Sequence, residues 1–248
     1  MTRVLVVQNG PRGGPKRFGD WLTEPGADGG TGVDVGAGGP LALDVVHAYD
    51  GAPLPARLTH GALVVLGGGL MPDDHARAPW LRRTRELVDQ ALEAAVPVFG
   101  ICLGGQLLAQ AAGGTVRAEH GVPEVGSTAL TLRAEAADDP LFGGLPPRLT
   151  GVENHVDAIT ALPPGARWLV ESENCPYQAF RSGERAWGVQ FHPEASAADV
   201  AGWPPERMTR HGLDPGEVRR TAERDDPASA RIWRTVAHRF AAVVREAG

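Results

Sequence analysis

The chain has two cysteines, Cys102 and Cys175, in 248 residues. So few thiols cannot build a disulfide framework; they suit a reducing compartment, and a cytoplasmic location is expected. No short Cys/His cluster has the spacing of a structural zinc site, and neither a metal nor a cofactor is expected. No uninterrupted apolar run approaches the length needed to cross a bilayer. The N-terminus has one early arginine and a four-residue apolar run, Val4 to Val7, which does not read as a signal peptide. Positive charge is not in excess either. The formal net charge is −6, which gives no reason to expect nucleic acid or an anionic membrane as a partner. A phosphate-cradling Gly-x-x-x-x-Gly-Lys-Ser/Thr loop is absent, and so is any internal repeat.

What the chain does have is a regular alternation of strand and helix patterns. Val4 to Val7 is the continuous apolar run of a strand buried on both faces. A short helix is expected over 15–23. Further strands are expected at Leu41 to His47, at Ala62 to Leu66 and at Val96 to Ile101. Between the last two, Trp80, Leu81, Thr84, Leu87, Val88, Ala91 and Leu92 mark one face of a helix. A second helix, Leu103 to Ala112, is expected to stop at Gly113-Gly114. Such units favour an open sheet covered on both faces. The Gly-rich segment 26–40 has too few large apolar groups to offset the entropy of ordering and reads as a mobile insertion. After Thr115 shorter strands dominate, including Ser127 to Leu132, Trp168 to Val170, Tyr177 to Arg181 and Ala186 to Phe191. In the tail, Asp226-Pro227 reads as an N-cap followed by proline in the first turn of a closing helix.

Two segments carry chemistry. Val98-Phe99-Gly100-Ile101-Cys102-Leu103-Gly104-Gly105-Gln106 runs from strand through Gly-x-Cys-x-Gly into helix, the layout of a nucleophile elbow with sulfur as the nucleophile. The new helix points free N–H groups at the sulfur and at any nearby oxyanion. In Gly188-Val189-Gln190-Phe191-His192-Pro193-Glu194, a strand ends at a histidine with a glutamate two residues on. An imidazole brought to the elbow takes the thiol proton and later returns it to a leaving amine. A carboxylate on its other nitrogen holds the tautomer. Cys175 has no such context and reads as a buried inert thiol.

Together, these two motifs resemble those of the class I (triad) glutamine amidotransferases, over roughly residues 1–196. The likeness is strongest to stand-alone proteins similar to the glutaminase domain of GMP synthase. The resemblance implies an α/β three-layer sandwich with a mixed, largely parallel central sheet flanked by helices. It implies one domain over 1–248, with a catalytic core to about 196 and a helical extension over about 197–248. It implies that Cys102 attacks the side-chain amide of L-glutamine, with His192 as base and acid and Glu194 orienting it. For the oxyanion it implies the Leu103 N–H and a second donor in the turn Gly67-Gly68-Gly69-Leu70. The family usually has Gly-Gly-Pro there; counting along that match gives Leu70 as the donor and Gly68 as pocket lining. Gln106 is expected to hold substrate. Asn154 and His155, and less strongly Asp157 and Glu124, are expected to close over the amino-acid end of glutamine.

The ammonia acceptor stays open, because the chain has no room for a synthetase domain; a separate synthetase subunit is one expectation. Two other readings remain. The same triad suits a hydrolase of γ-glutamyl amines, and the fold alone would suit a non-catalytic regulatory subunit. The segment after 197 is expected either to cover the active-site side or to dock a partner.

Overall fold

A computed structural model describes residues 1–24 and 40–247, so the Gly-rich segment, apart from Pro40, lies outside the described residues. In chain order the first half comprises β1 (Arg3–Gln8), α1 (Lys16–Thr23), β2 (Ala42–His47), β3 (Ala62–Val65), α2 (Trp80–Glu93), β4 (Val98–Ile101) and α3 (Leu103–Ala111). There follow β5 (Thr115–Arg117), β6 (Glu124–Leu132), β7 (Arg148–His155), β8 (Ala158–Ala161), β9 (Arg167–Glu171), β10 (Ala179–Ser182) and β11 (Ala186–Val189). Three helices close the chain: α4 (Ala197–Ala201), α5 (Glu206–Thr209) and α6 (Pro215–Ala247).

Nine strands form one sheet in the order β2-β1-β3-β4-β11-β10-β9-β6-β7. The first five are mutually parallel and the rest pair antiparallel, so the sheet is mixed, with a parallel half that carries the elbow. β5 and β8 make a small separate ribbon.

Strand alternation divides the core into two layers. Val4 and Val6 point to one side, with Phe99, Trp187 and the helices α1 and α6. Leu5 and Val7 point to the other, with Leu63, Val65 and the helices α2 and α3. Phe99 is clasped by both helices of its layer, 4.8 Å from the Phe18 ring of α1 and 5.4 Å from the Phe240 ring of α6. Trp233 of α6 lies over Phe191 with ring centroids 4.5 Å apart, and its indole N–H donates to Thr150 O at 3.0 Å. The last helix therefore builds the core as well as flanking it.

The start of that helix corrects the sequence reading. α6 begins at Pro215, twelve residues before the Asp226-Pro227 signal, and Pro227 lies in its interior. The same signal occurs at Asp214-Pro215, where the Glu217 N–H donates to Asp214 Oδ1 at 2.7 Å, as an N-cap requires. A proline inside a helix lacks one N–H and crowds the preceding turn. Here tertiary contacts outweigh that cost. Asp226 pairs with Arg17 at 2.7 Å, Ser229 Oγ donates to Thr150 O at 3.0 Å, and Ala222 and Trp233 are buried on either side.

Candidate active site

Cys102 stands where β4 turns into α3, with φ +50° and ψ −108°. A non-glycine residue at positive φ is strained and persists only where its surroundings hold it. Two backbone bonds do so: Cys102 N–H donates to Val189 O at 2.7 Å, and Gln106 N–H donates to Cys102 O at 2.9 Å. The helix lies so close to the sheet that a Cβ on Gly104 would meet Val65 O at 2.0 Å. That contact explains the glycine two residues after the cysteine: any side chain would lift the helix and collapse the turn.

His192 arrives from β11. The chain leaves the sheet after Val189, and His192 N–H donates to Val152 O at 2.7 Å, fixing the backbone against β7. His192 Nδ1–H donates to Glu194 Oε1 at 2.7 Å, across the Pro193 turn. Arg17 of α1 clamps that turn by donating to Pro193 O at 3.3 Å and to Ala195 O. The ring lies against the elbow at Gly67, where an added Cβ would lie 2.8 Å from His192 Cε1 and 3.4 Å from Cys102 Cβ. Burial on its own would lower the His192 pKa. The Glu194 carboxylate and the Cys102 sulfur overcome it and hold the imidazole well above its usual range. Sulfur, imidazole and carboxylate are thus brought together in sequence-predicted order.

These groups open onto a cleft of about 580 Å³. Gly67, Gly68, Gly69 and Asn154 line it beside Cys102 and His192. Leu70 does not; its side chain packs into the apolar layer that holds α2 and α3. Leu103 also buries its side chain in that layer, its backbone remaining next to Cys102. Asn9 sets the turn from behind, donating from Nδ2 to Leu66 O at 2.8 Å and accepting from the Trp80 indole at 3.0 Å.

Two expected substrate contacts lie elsewhere. Gln106 is 2% exposed and sits behind the elbow, donating to Asp157 O at 3.2 Å and to Gln190 Oε1 at 3.1 Å. Gln190 in turn reaches Cys102 Sγ from Nε2 at 3.6 Å, a contact that the sequence pattern does not reveal. Asn154 and His155 are neighbours on β7, and strand alternation sends them to opposite faces. Asn154 lines the cleft, whereas His155 is buried, 3.1 Å from Glu124 Oε2 and 3.1 Å from Asp157 O. Asp157 itself accepts from Glu119 N–H at 2.9 Å.

Behind the elbow lies a buried polar cluster. Glu124, His155 and Cys175 offer potential metal-ligand atoms within 4.8 Å of one another. Glu124 already accepts from Ser172 Oγ at 2.8 Å and from Gln178 Nε2 at 2.7 Å. Burial, reinforced by the charges of Glu153 and Glu124, pushes the Cys175 thiol far up, so it keeps its proton. Glu124 and His155 are therefore already satisfied by hydrogen bonds. Glu153 is the cluster's odd member: fully buried, 3.4 Å from His155 Nε2, with neither carboxylate oxygen hydrogen-bonded. Burial and then the Glu124 charge raise its pKa well above the usual range and favour the neutral acid.

The outer wall of the cleft comes from parts without a motif. The loop after β1 gives Arg12, α1 gives Lys16, and α4 and α5 with their connection give Asp199, Trp203 and Arg207. The segment after 197 therefore covers the active-site side. A box at its start, Ser196 to Asp199, carries a reciprocal cap that the spacing Ser-x-x-Asp could have revealed.

The family model for class-I glutamine amidotransferases matches residues 44–201. Over 111 residues the chain is 48% identical to a glutamine-hydrolyzing GMP synthase of Parafrankia sp., covering 43% of this chain and 20% of that protein. Over 125 residues it is 40% identical to one of the subunits of the glutamine-hydrolyzing GMP synthase of Thermococcus kodakarensis, covering 48% of this chain and 56% of that one. The matches thus span about a fifth of the first relative's length and about half of the second's. Among solved structures, a glutamine amidotransferase from Thermotoga maritima superposes with a TM-score of 0.81 at 24% identity, over 97% of this chain and 98% of that one. No helix among the described residues is long and apolar enough to cross a membrane. With the elbow and the His-Pro-Glu turn inside the matched region, the chain belongs to the class-I glutamine amidotransferase family.

Proposed function

We infer that the protein hydrolyses the amide bond of a γ-glutamyl compound, L-glutamine in the simplest case, through a covalent thioester on Cys102. One observation carries this reading: the Cys102 sulfur shares a cleft with an imidazole whose other nitrogen is held by Glu194 at 2.7 Å. His192 takes the thiol proton, and the thiolate adds to the γ-carbonyl carbon. The imidazolium then gives that proton to the departing nitrogen as the C–N bond breaks, leaving a γ-glutamyl thioester and free ammonia or amine. Water, deprotonated by the same imidazole, adds to the thioester, and glutamate leaves as the thiolate is regenerated. Glu194 fixes the ring tautomer and stabilises the imidazolium.

Charge on the tetrahedral oxygen needs two donors. The Leu103 N–H, at the start of α3, is one. Gly68 is our candidate for the second, in place of Leu70, because its α-carbon faces Leu103: an added Cβ would sit 3.0 Å from Leu103 Cδ2. Losing such a donor costs roughly 10²–10³-fold in rate. Asn154, in the cleft, is suited to the amino-acid end of the substrate, while Gln106 and His155 act as positioning residues.

The named relatives are glutamine-hydrolyzing GMP synthases or one part of such an enzyme, so passing ammonia to a separate synthetase is compatible with the chemistry. A second reading, hydrolysis of larger γ-glutamyl amides by this chain alone, is favoured by the chain's own C-terminal segment walling the cleft. Glutamate release from L-glutamine and from γ-glutamyl amides, measured on the chain alone, tests the proposal. No release from any of them overturns it, and release only from the substituted amides selects the second reading.

A further inference from the structure

Charges in the cleft wall do not balance. Lys16 Nζ is 2.6 Å from Asp199 Oδ1, so that pair cancels, and Glu194 is committed to His192. Arg12 and Arg207 remain, and neither forms an ion pair with a carboxylate among the described residues. Arg207 is half-buried, with its guanidinium 5.5 Å from the centre of the Trp203 ring, which also lines the cleft. Burial, then the charges of Arg12 and Arg210, lower its pKa, so like charges converge here with no carboxylate of the described residues paired to them. Holding cations together at the rim of a concave site is unfavourable unless an anion completes them. Both residues lie outside the 44–201 stretch matched by the family model.

We propose that Arg12 and Arg207 form a carboxylate-binding subsite at the mouth of the Cys102 cleft, selecting anionic γ-glutamyl substrates and rejecting γ-glutamyl polyamines. A guanidinium lying against an indole is pre-oriented and can grip a carboxylate with two parallel N–H donors. The carboxylate is one on the amine that is released, because the α-carboxylate of the glutamyl group is common to every γ-glutamyl compound and cannot discriminate among them. A cationic amine at the same place would meet two positive charges. This inference rests on the γ-glutamyl hydrolase reading for its substrate class.

The test compares L-glutamine, γ-glutamylglutamate and γ-glutamylputrescine on the wild type, Arg207→Gln, Arg207→Lys and the double variant Arg12→Gln/Arg207→Gln. Binding of the same compounds to Cys102→Ala, with and without the arginine changes, is followed by calorimetry. Each lost charge-assisted contact is expected to raise KM by about 10–100-fold. The loss should fall on KM, not kcat, with partial recovery in Arg207→Lys. A loss confined to γ-glutamylglutamate supports the proposal; equal losses for glutamine and γ-glutamylglutamate place the arginines on the shared α-carboxylate and overturn the selectivity. Unchanged KM and binding in the folded double variant, or tightest binding of γ-glutamylputrescine, overturns the proposal. If the wild type releases no glutamate while Cys102→Ala still binds through the arginines, the hydrolase reading fails and the subsite stands.

Discussion

Glu194 and Glu153 are both buried carboxylic acids, and their surroundings set them opposite tasks. Glu194 faces an imidazole that it keeps charged; Glu153 faces another carboxylate and keeps its proton. For His192, a raised pKa means that the imidazolium persists above its usual 6.5 and is lost as pH rises through the folded value. Glu194→Gln is therefore expected to move the alkaline limb of kcat/KM to lower pH and to cut the rate by about 10²–10⁴-fold. An unmoved limb in the pH profile contradicts this assignment. Glu153 shifts in the same direction, upward, but the proton it keeps makes it neutral where His192 is charged. The unfolded chain releases this proton above about pH 4.5 while the folded chain keeps it. Stability from this residue is thus full below that pH and declines as pH rises, by up to about 1.4 kcal/mol per unit. Glu153→Gln should gain stability over the wild type between about pH 4 and pH 8 in urea titrations. Parallel pH profiles would count against it. Cys102, His192 and Glu194 are legible in sequence because each belongs to a short contiguous motif. Arg12, Arg207 and Gln190 are not, because their meaning depends on contacts across the whole fold. Asn154 and His155 are legible as a pair but not as opposites, since these residue types also suit a turn, and only the pairing of β7 shows a strand.

Elements are legible where the apolar period is long. β1, β3, α2 and α3 lie within a residue or two of expectation, because Val, Leu and Ile at fixed spacing leave one way to face the sheet. The start of α6 is not, because the chain carries two Asp-Pro signals and local chemistry cannot rank them. Contacts can: the stretch 215–226 packs on α4 and β6, and extending the helix buries it. Removing the true cap, Asp214→Ala, should cost about 1 kcal/mol. Pro227→Ala should do the reverse, restoring a backbone N–H inside the helix and stabilising it by up to about 3 kcal/mol. Thermal unfolding of both variants checks the pair, and a loss of stability in Pro227→Ala would refute the account of that helix.

At the scale of the molecule, one parallel half-sheet positions the chemistry. Neighbouring strands β3, β4 and β11 deliver the Gly67 turn, Cys102 and His192 at the same edge, and β7 adds Asn154 from the antiparallel half. The helix α6 supports this arrangement from behind through Trp233 and Phe240, both fully buried. Phe240→Ala should cost about 3–5 kcal/mol in denaturant titration and lower activity only as far as the folded fraction falls. The central claim is that Cys102 is the nucleophile of a γ-glutamyl transfer to water. Its most direct test is quenched-flow mass spectrometry of the intact wild type, Cys102→Ala and Cys175→Ser with γ-glutamyl substrates. The account predicts a transient γ-glutamyl adduct on Cys102 in the wild type and in Cys175→Ser, and neither adduct nor glutamate in Cys102→Ala. Glutamate release that survives in Cys102→Ala would contradict it.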